Sequence, residues 1–267
     1  MSTKNITWSV FTKPWKMPIG ELGKFVKGLG FDGIELPVRP GFQVEPQNVA
    51  KGLPQAAKQL GDAGVKILSV AGPTDEPTIA ACAESGVPVI RVMAGIGKEG
   101  YLATEAKLQK EYEALVPLLE KHHVTIGVQN HCDRYVTSAI GLRRLIEKFS
   151  AKHVAAVWDP AHCALAGEEP ELAADILWSH LCMVNLKNAE WRRNKGQSDV
   201  VEWSHYWTLG KNGLASWPRV AEELKRRNYN GVVCLTAEYS PPGPAERLVP
   251  EDFAFAKSLF AEKSPQG

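Results

Sequence analysis

Short apolar runs rich in β-branched residues alternate eight times with longer amphipathic segments along almost the whole sequence. The runs are Ile6–Phe11, Phe31–Leu36, Val65–Val70, Val87–Met93, Val124–Asn130, Val154–Trp158, Cys182–Lys187 and Val232–Ala237. Runs that are apolar throughout, such as Val154–Trp158, are typical of parallel strands covered on both faces. Strict alternation with helices predicts βαβ units. Eight units in 267 residues predict a (β/α)8 TIM barrel, an α/β fold, in one domain spanning residues 1–267.

The segments between the runs predict the helices of the barrel. They are Pro18–Leu29, Pro46–Ala63, Glu76–Ser85, Glu105–His122, Thr137–Phe149, Glu171–Ser179, Ser216–Arg227 and Pro250–Phe260. The longest irregular stretch, Ala189–Gly213, follows the seventh strand and contains three tryptophans and a tyrosine. A stretch of this length predicts either a folded lid over a site or a packed surface loop.

Composition excludes several classes of protein. There are 31 basic and 30 acidic residues, so the sequence offers no surface for tracking nucleic-acid phosphates. No apolar run approaches the length of a membrane span, and the first residues do not resemble a signal peptide. The five cysteines are scattered without a CxxC pair, which indicates small buried side chains and a cytoplasmic protein.

Polar side chains collect at the predicted carboxyl ends of five strands, where a TIM barrel holds its active site. They are Glu35, Gln129, Asn130, His131, Asp159, His162, Asn185, Lys187, Asn188, Glu238 and Tyr239. A barrel built only for stability would have no reason to concentrate such groups at one rim, so the pattern predicts a site. Asp159 and His162 together suit a divalent metal. Lys187 is expected to present a fixed positive charge, and Glu238 needs a metal, a cation or a proton if buried.

Four short motifs resemble those of the xylose-isomerase-like barrels, a superfamily of ketose 3-epimerases, hydroxypyruvate isomerases, inosose dehydratases and endonuclease IV relatives. The motifs are Phe31-Asp-Gly-Ile-Glu-Leu36, Asp159-Pro-Ala-His162, Asn185-Leu-Lys-Asn188, and Tyr229-Asn-Gly-Val leading into Glu238-Tyr239. Their order and spacing over essentially the whole chain give the resemblance its strength. Many barrels of this type form dimers or tetramers, so a homo-oligomer is compatible with it. An enzyme of the endonuclease IV group requires a zinc cluster richer in His and Glu, and a basic groove. This sequence shows neither feature.

The resemblance implies a divalent metal, Mn, Mg or Zn, held by four residues. The residues of this sequence at the four ligand positions of the family are Gln129, Asp159, Asn185 and Glu238, with His162 or His131 as a further nitrogen ligand. Two positions depart from the family pattern, because Gln129 replaces a glutamate and Asn185 replaces a histidine. Neutral amides predict weaker binding that favours Mg or Mn over Zn.

The resemblance further implies a metal-assisted isomerase or epimerase acting on a small sugar or hydroxy-keto substrate through an enediolate. Glu238 is expected to be the base, with Lys187 contacting the oxyanion and His131 and His162 acting as acids or substrate contacts. Other expected substrate contacts are Glu35, Asn188, and Trp8, Trp15 or a tryptophan of the stretch Ala189–Gly213 stacking on a sugar face. Since Gln129 cannot accept a proton, two-base epimerisation is in doubt. A lyase or dehydratase and a non-catalytic sugar-binding barrel remain alternatives.

Overall fold

Eight parallel strands close into a barrel in a computed structural model that describes residues 6–194, 200–241 and 243–261. The barrel strands are β1 Thr7–Phe11, β2 Gly33–Pro37, β3 Lys66–Ala71, β4 Val89–Met93, β5 Thr125–Gln129, β6 Val154–Trp158, β7 Leu181–Leu186 and β10 Val232–Leu235. Their order around the barrel is β1-β10-β7-β6-β5-β4-β3-β2. The prediction of an α/β TIM barrel is confirmed.

Closure comes from parallel pairing of the first and last barrel strands. Thr7 of β1 lies opposite Val232 of β10, and Val10 lies opposite Leu235. On its other side β1 pairs with β2. Because all eight strands are parallel, their carboxyl ends meet at one rim, as the site prediction requires.

Helices follow the strands around the outside of the barrel. They are α1 Ile19–Leu29, α2 Val49–Asp62, α3 Glu76–Glu84, α4 Tyr101–His122, α5 Ala139–Ile146, α6 Pro160–Leu165, α7 Pro170–Leu177, α8 Trp217–Arg226 and α9 Ala245–Phe260. Short 3-10 turns cover Pro46–Asn48 and Trp178–His180. No helix in the described ranges is both long and apolar enough to cross a membrane.

Two helix predictions are corrected. The short helix α6 was missed because Asp159-Pro160 suggests a turn, whereas the Asp159 carboxylate caps this helix by accepting from the backbone N–H of Ala161 at 3.1 Å. Helix α9 begins five residues before Pro250, because that proline lies within the helix instead of starting it.

The irregular stretch after β7 folds into an antiparallel hairpin of β8 Asn188–Arg193 and β9 Trp203–Thr208. Residues 195–199 between them lie outside the described residues. Asn188 anchors the hairpin: its side-chain amide donates to the carbonyls of Gly210 and Ala215, both at 2.8 Å.

Candidate active site

A cavity of about 100 Å³ opens at the carboxyl ends of the barrel strands. Its walls include five of the predicted residues, Gln129, His131, Asn185, Lys187 and Glu238. They also include six residues that were not predicted, Phe11, Lys13, Arg39, Arg91, Met93 and Thr236. The cavity has room for roughly three water molecules at the volume of about 30 Å³ that each occupies in the liquid, which suits a small polar ligand.

The Lys187 ammonium lies between two carboxylates at the base of this cavity. Its Nζ donates to Glu238 Oε2 at 2.8 Å and lies 3.7 Å from Asp159 Oδ2. The Lys187 side chain is 4% exposed, and Lys13 approaches Glu238 from the solvent side at 3.0 Å. Lys187 is therefore a buried positive charge held in place by two acids.

The two acids beside Lys187, Asp159 and Glu238, have pKa values shifted in opposite directions. Burial raises the pKa of Asp159 to about 6, an effect that the nearby Lys187 only partly opposes. Burial also acts on Glu238, but Lys187 and Lys13 outweigh it and lower the pKa of Glu238 to about 2. Burial lowers the pKa of Lys187 less than the two acids raise it, so the group stays charged. Glu238 is thus an ionised partner of two lysines and a weak base.

Glu35 and Arg91 form a buried ion pair beside the cavity. Arg91 Nε donates to both Glu35 oxygens, at 2.8 and 2.9 Å, and the Ser69 hydroxyl donates to Oε1 at 3.0 Å. Glu35 is fully buried and does not line the cavity. Its carboxylate is taken up by Arg91, so the structure places Glu35 away from the cavity wall, and its contact with substrate stays a prediction.

Gln129 connects the Arg91 pair to Asp159. Its side-chain oxygen accepts from Arg91 Nη1, and its Nε2 donates to Asp159 Oδ2 at 2.7 Å. Both partners fix the orientation of this amide, since a guanidinium only donates and a carboxylate only accepts.

His131 presents an unprotonated nitrogen. Its Nδ1 lies 2.9 Å from the carbonyl oxygen of Cys132, which can only accept, so Nδ1 carries the proton and Nε2 keeps a lone pair. Burial, with a smaller contribution from Lys187, lowers the pKa of His131. His131 is therefore a neutral imidazole with a basic nitrogen, and it lines the cavity.

His162 has the opposite tautomer. The backbone N–H of Cys132 donates to its Nδ1 at 2.9 Å, so the proton of the neutral ring is on Nε2, which lies 3.6 Å from Asp159 Oδ2. Burial is the main reason that the pKa of His162 lies far below its usual range. The Nε2 atom has no hydrogen-bond partner among the described residues.

Asn185 is a buried amide that the fold leaves unsatisfied. Its side chain lines the cavity, and neither its oxygen nor its nitrogen has a hydrogen-bond partner among the residues described. Because an unpaired buried amide costs about 1–3 kcal/mol, the position is best explained by a ligand that completes these bonds.

Three other residues predicted to contact substrate also lie away from the cavity wall. Trp8 packs edge-on against Phe253 and Phe260, each with ring centroids 5.5 Å apart, and Trp15 packs against Phe25 at 5.0 Å. Neither tryptophan lines the cavity, because the apolar core takes both rings. Asn188 is fully buried, and its hydrogen bonds serve the hairpin.

Trp207 on β9 contacts two residues of the site. The Lys187 Nζ lies 4.2 Å from the centre of its ring, and the His162 ring lies 5.3 Å away. The hairpin thus covers the ammonium with an aromatic face, a favourable cation–π contact.

Sequence reasoning missed Arg91 and Arg39. A signal for Arg91 was present, because it is the one charged residue in the apolar run Val87–Met93 and a charge inside a barrel strand needs a partner. Arg39 follows β2 in a loop and has no such signal.

The residues that the resemblance assigns to a metal do not fit a divalent cation as they are arranged. Gln129 turns its NH₂ group toward Asp159, and the Glu238 carboxylate already binds two lysines. Among the described residues, His131, Cys132 and His162 place possible ligand atoms within 4.8 Å of one another. However, the lone pair of His162 is taken by the N–H of Cys132. Lys187 supplies the positive charge that the two carboxylates require, so we derive no step through a metal.

Comparisons with solved structures support the fold. A 3-keto-D-glucoside 4-epimerase from E. coli is 15% identical with a TM-score of 0.72, covering 95% of this chain and 100% of that one. A probable 3-DHS dehydratase from Bacillus anthracis is 13% identical with a TM-score of 0.71, covering 97% and 100%. A barrel protein from Mycobacterium smegmatis, described in complex with magnesium, is 13% identical with a TM-score of 0.68, covering 97% and 98%. At these identities the likeness shows the shared fold.

Comparison at the level of sequence gives the family. No curated protein sequence matches the chain significantly. The family model described as xylose isomerase-like TIM barrel matches residues 24–259, which is most of the chain. The chain therefore belongs to the xylose isomerase-like TIM barrel family.

Proposed function

We propose that this barrel is an enzyme that removes a proton from the carbon next to the carbonyl of a small hydroxy-keto substrate and acts as an isomerase or epimerase. The observation that carries the proposal is that one cavity is lined both by His131, whose Nε2 is unprotonated, and by Lys187, whose ammonium is buried. A base and a fixed positive charge are the two groups that enediolate formation requires.

His131 is the proposed base. Its lowered pKa keeps it unprotonated near neutral pH, and its Nδ1–H bond to Cys132 holds the ring. In the forward step Nε2 takes the proton, and in the second step the imidazolium returns it to the neighbouring carbon of the enediolate. The hydroxyl proton passes at the same time from the oxygen that becomes the new carbonyl to the oxygen of the former carbonyl. This assignment replaces Glu238, because a carboxylate with a pKa of about 2 is a weak base.

Lys187 is the proposed stabiliser of the negative oxygen. Its Nζ has three N–H donors and one hydrogen bond, to Glu238, so it retains donors for an oxyanion. The charge is already oriented and largely excluded from water, so little reorganisation is needed when the enediolate forms. Asn185 offers a further donor from its unpaired amide.

A dehydratase is the second candidate, and the single free base favours it. With Gln129 in place of a second carboxylate, epimerisation by two bases on opposite faces lacks one partner. Removal of the proton by His131, followed by loss of hydroxide from the β carbon as water, needs only one base and one proton donor. One of the similar solved structures is named as a probable dehydratase.

The test is solvent exchange in D₂O with a panel of ketoses and hydroxy-keto acids, followed by proton NMR. We expect deuterium at the carbon next to the carbonyl of at least one substrate, with an isomer or a dehydrated product. His131→Gln should abolish exchange, and Lys187→Met should slow it by about 100-fold or more. His153→Gln is the matched control, because His153 precedes β6 at the opposite end of the barrel. Exchange that survives His131→Gln would refute the assigned base, and folded protein that exchanges nothing would favour a sugar-binding role.

A further inference from the structure

We infer that the substrate of this site carries one carboxylate group and that Arg39 binds it. The inference rests on the proposed function for the location of the substrate and adds the charge of that substrate and the residue that recognises it.

The charged residues of the site neutralise one another, with one exception. Lys13 and Lys187 lie against Glu238 and Asp159, which gives two cations for two carboxylates. The Arg91 guanidinium and the buried Glu35 neutralise each other. His131 is neutral, so one charged residue of the cavity wall stands outside this balance, and that residue is Arg39.

The Arg39 guanidinium has no ion-pair partner among the described residues. No described residue forms an ion pair or a side-chain hydrogen bond with it, and its contact is with the ring of Phe11, 5.6 Å from Cζ to the ring centre. The backbone of Arg39 is held, because its N–H donates to the carbonyl of Val44 at 3.2 Å. Burial and the repulsion of Arg91 lower the pKa of Arg39 more than Glu35 and Glu238 raise it, so these two acids compensate its charge only in part. An anionic ligand would supply the rest.

A carboxylate on the ligand suits the site better than a phosphate. The site has one positive charge that is not fully compensated, which matches a monoanion better than a phosphate close to two charges. The planar guanidinium fork fits the two oxygens of a carboxylate. The cavity of about 100 Å³ also suits a short hydroxy-keto acid.

Calorimetric titration of the full chain with three matched three-carbon ligands tests this inference. Dihydroxyacetone is neutral, hydroxypyruvate has a carboxylate in place of one hydroxymethyl group, and dihydroxyacetone phosphate has a phosphate. We expect hydroxypyruvate to bind most tightly. Dihydroxyacetone should bind roughly 10- to 100-fold more weakly, as the loss of a charge-assisted hydrogen bond implies.

Three variants assign the effect to Arg39. Arg39→Met should reduce hydroxypyruvate binding to the level of dihydroxyacetone, and Arg39→Lys should recover part of it. Lys16→Met is the matched control, because Lys16 is an exposed cation that contacts Phe42 and Gly41 and does not line the cavity. It should leave binding unchanged.

Several results would overturn the inference. They are equal binding of dihydroxyacetone and hydroxypyruvate, an unchanged affinity in Arg39→Met, and no binding of any of the three ligands. Tighter binding of the phosphate than of the carboxylate would overturn the choice of carboxylate. The titration detects affinity and the D₂O assay detects proton transfer, so failure of the proposed proton transfer is separate from failure of this inference.

Discussion

Replacing Glu35 with Gln tests whether this acid serves the fold or the substrate. In the structure the Glu35 carboxylate accepts two hydrogen bonds from Arg91 and is fully buried, while Arg91 is 6% exposed. Glu35→Gln keeps the shape but leaves the buried guanidinium without its counter-charge. Breaking a buried pair by removing one partner costs about 3–5 kcal/mol.

This cost converts into a measurable change in Tm. Unfolding entropies of about 2.1 cal/mol/K per residue give about 0.56 kcal/mol/K for 267 residues. The expected fall in Tm is therefore about 5–9 °C. The double variant with Arg91→Met removes both charges, so it should be more stable than the sum of the single variants predicts, by at least about 2 kcal/mol.

Differential scanning calorimetry and urea unfolding provide the assay. The matched control is Glu113→Gln, which breaks the exposed pair with Lys148 and should cost less than about 1 kcal/mol. The reasoning is refuted if Glu35→Gln leaves Tm within about 2 °C of the wild type and mainly weakens ligand binding. That result would favour the substrate contact that the sequence suggested.

Three further predictions concern the site and the barrel around it. Lys187→Met should lower kcat by about 100-fold or more, as removal of an oxyanion donor does, and steady-state kinetics on the substrate found by solvent exchange measures it. Asn185→Leu should keep or raise Tm, because it removes two unpaired buried polar atoms, yet weaken ligand binding in calorimetry. Burial raises the pKa of Asp252 to about 6, so its ionised form is disfavoured in the folded state. The contribution of Asp252 to the free energy of unfolding therefore falls as pH rises from about 4 to about 6. In urea titrations between about pH 4 and pH 6, Asp252→Asn should make the fall in the free energy of unfolding smaller by about 3 kcal/mol. The same dependence of this free energy on pH in the variant and the wild type would contradict the prediction.

The fold was predictable because its signals are local. Each barrel strand is an apolar run bounded by turn residues, and the strict alternation with helices leaves few topologies. Strands β8 and β9 of the hairpin were not predicted, although Trp203, His205 and Trp207 recur at every second position of β9. Its aromatic content still suggested a lid.

The site was predictable in position and only partly in chemistry. The strand ends located His131, Lys187 and Glu238, which do line one cavity. The roles of these residues depend on partners that are distant in sequence. Lys13 lies 225 positions from Glu238 and helps to lower its pKa, and the proton of His131 is set by a backbone carbonyl. No motif contains such information.

The most direct test of the account is the metal content of the purified protein by elemental analysis, with a Mn²⁺ titration followed by electron paramagnetic resonance. We predict substoichiometric metal and no site at the strand ends, because Lys187 takes the place of the cation. A variant with Gln129→Glu, Asn185→His and Lys187→Met restores the ligand set of the resemblance and should gain Mn²⁺ binding. Stoichiometric Mn, Mg or Zn in the wild type that is lost in both Asp159→Ala and Glu238→Gln would contradict the account.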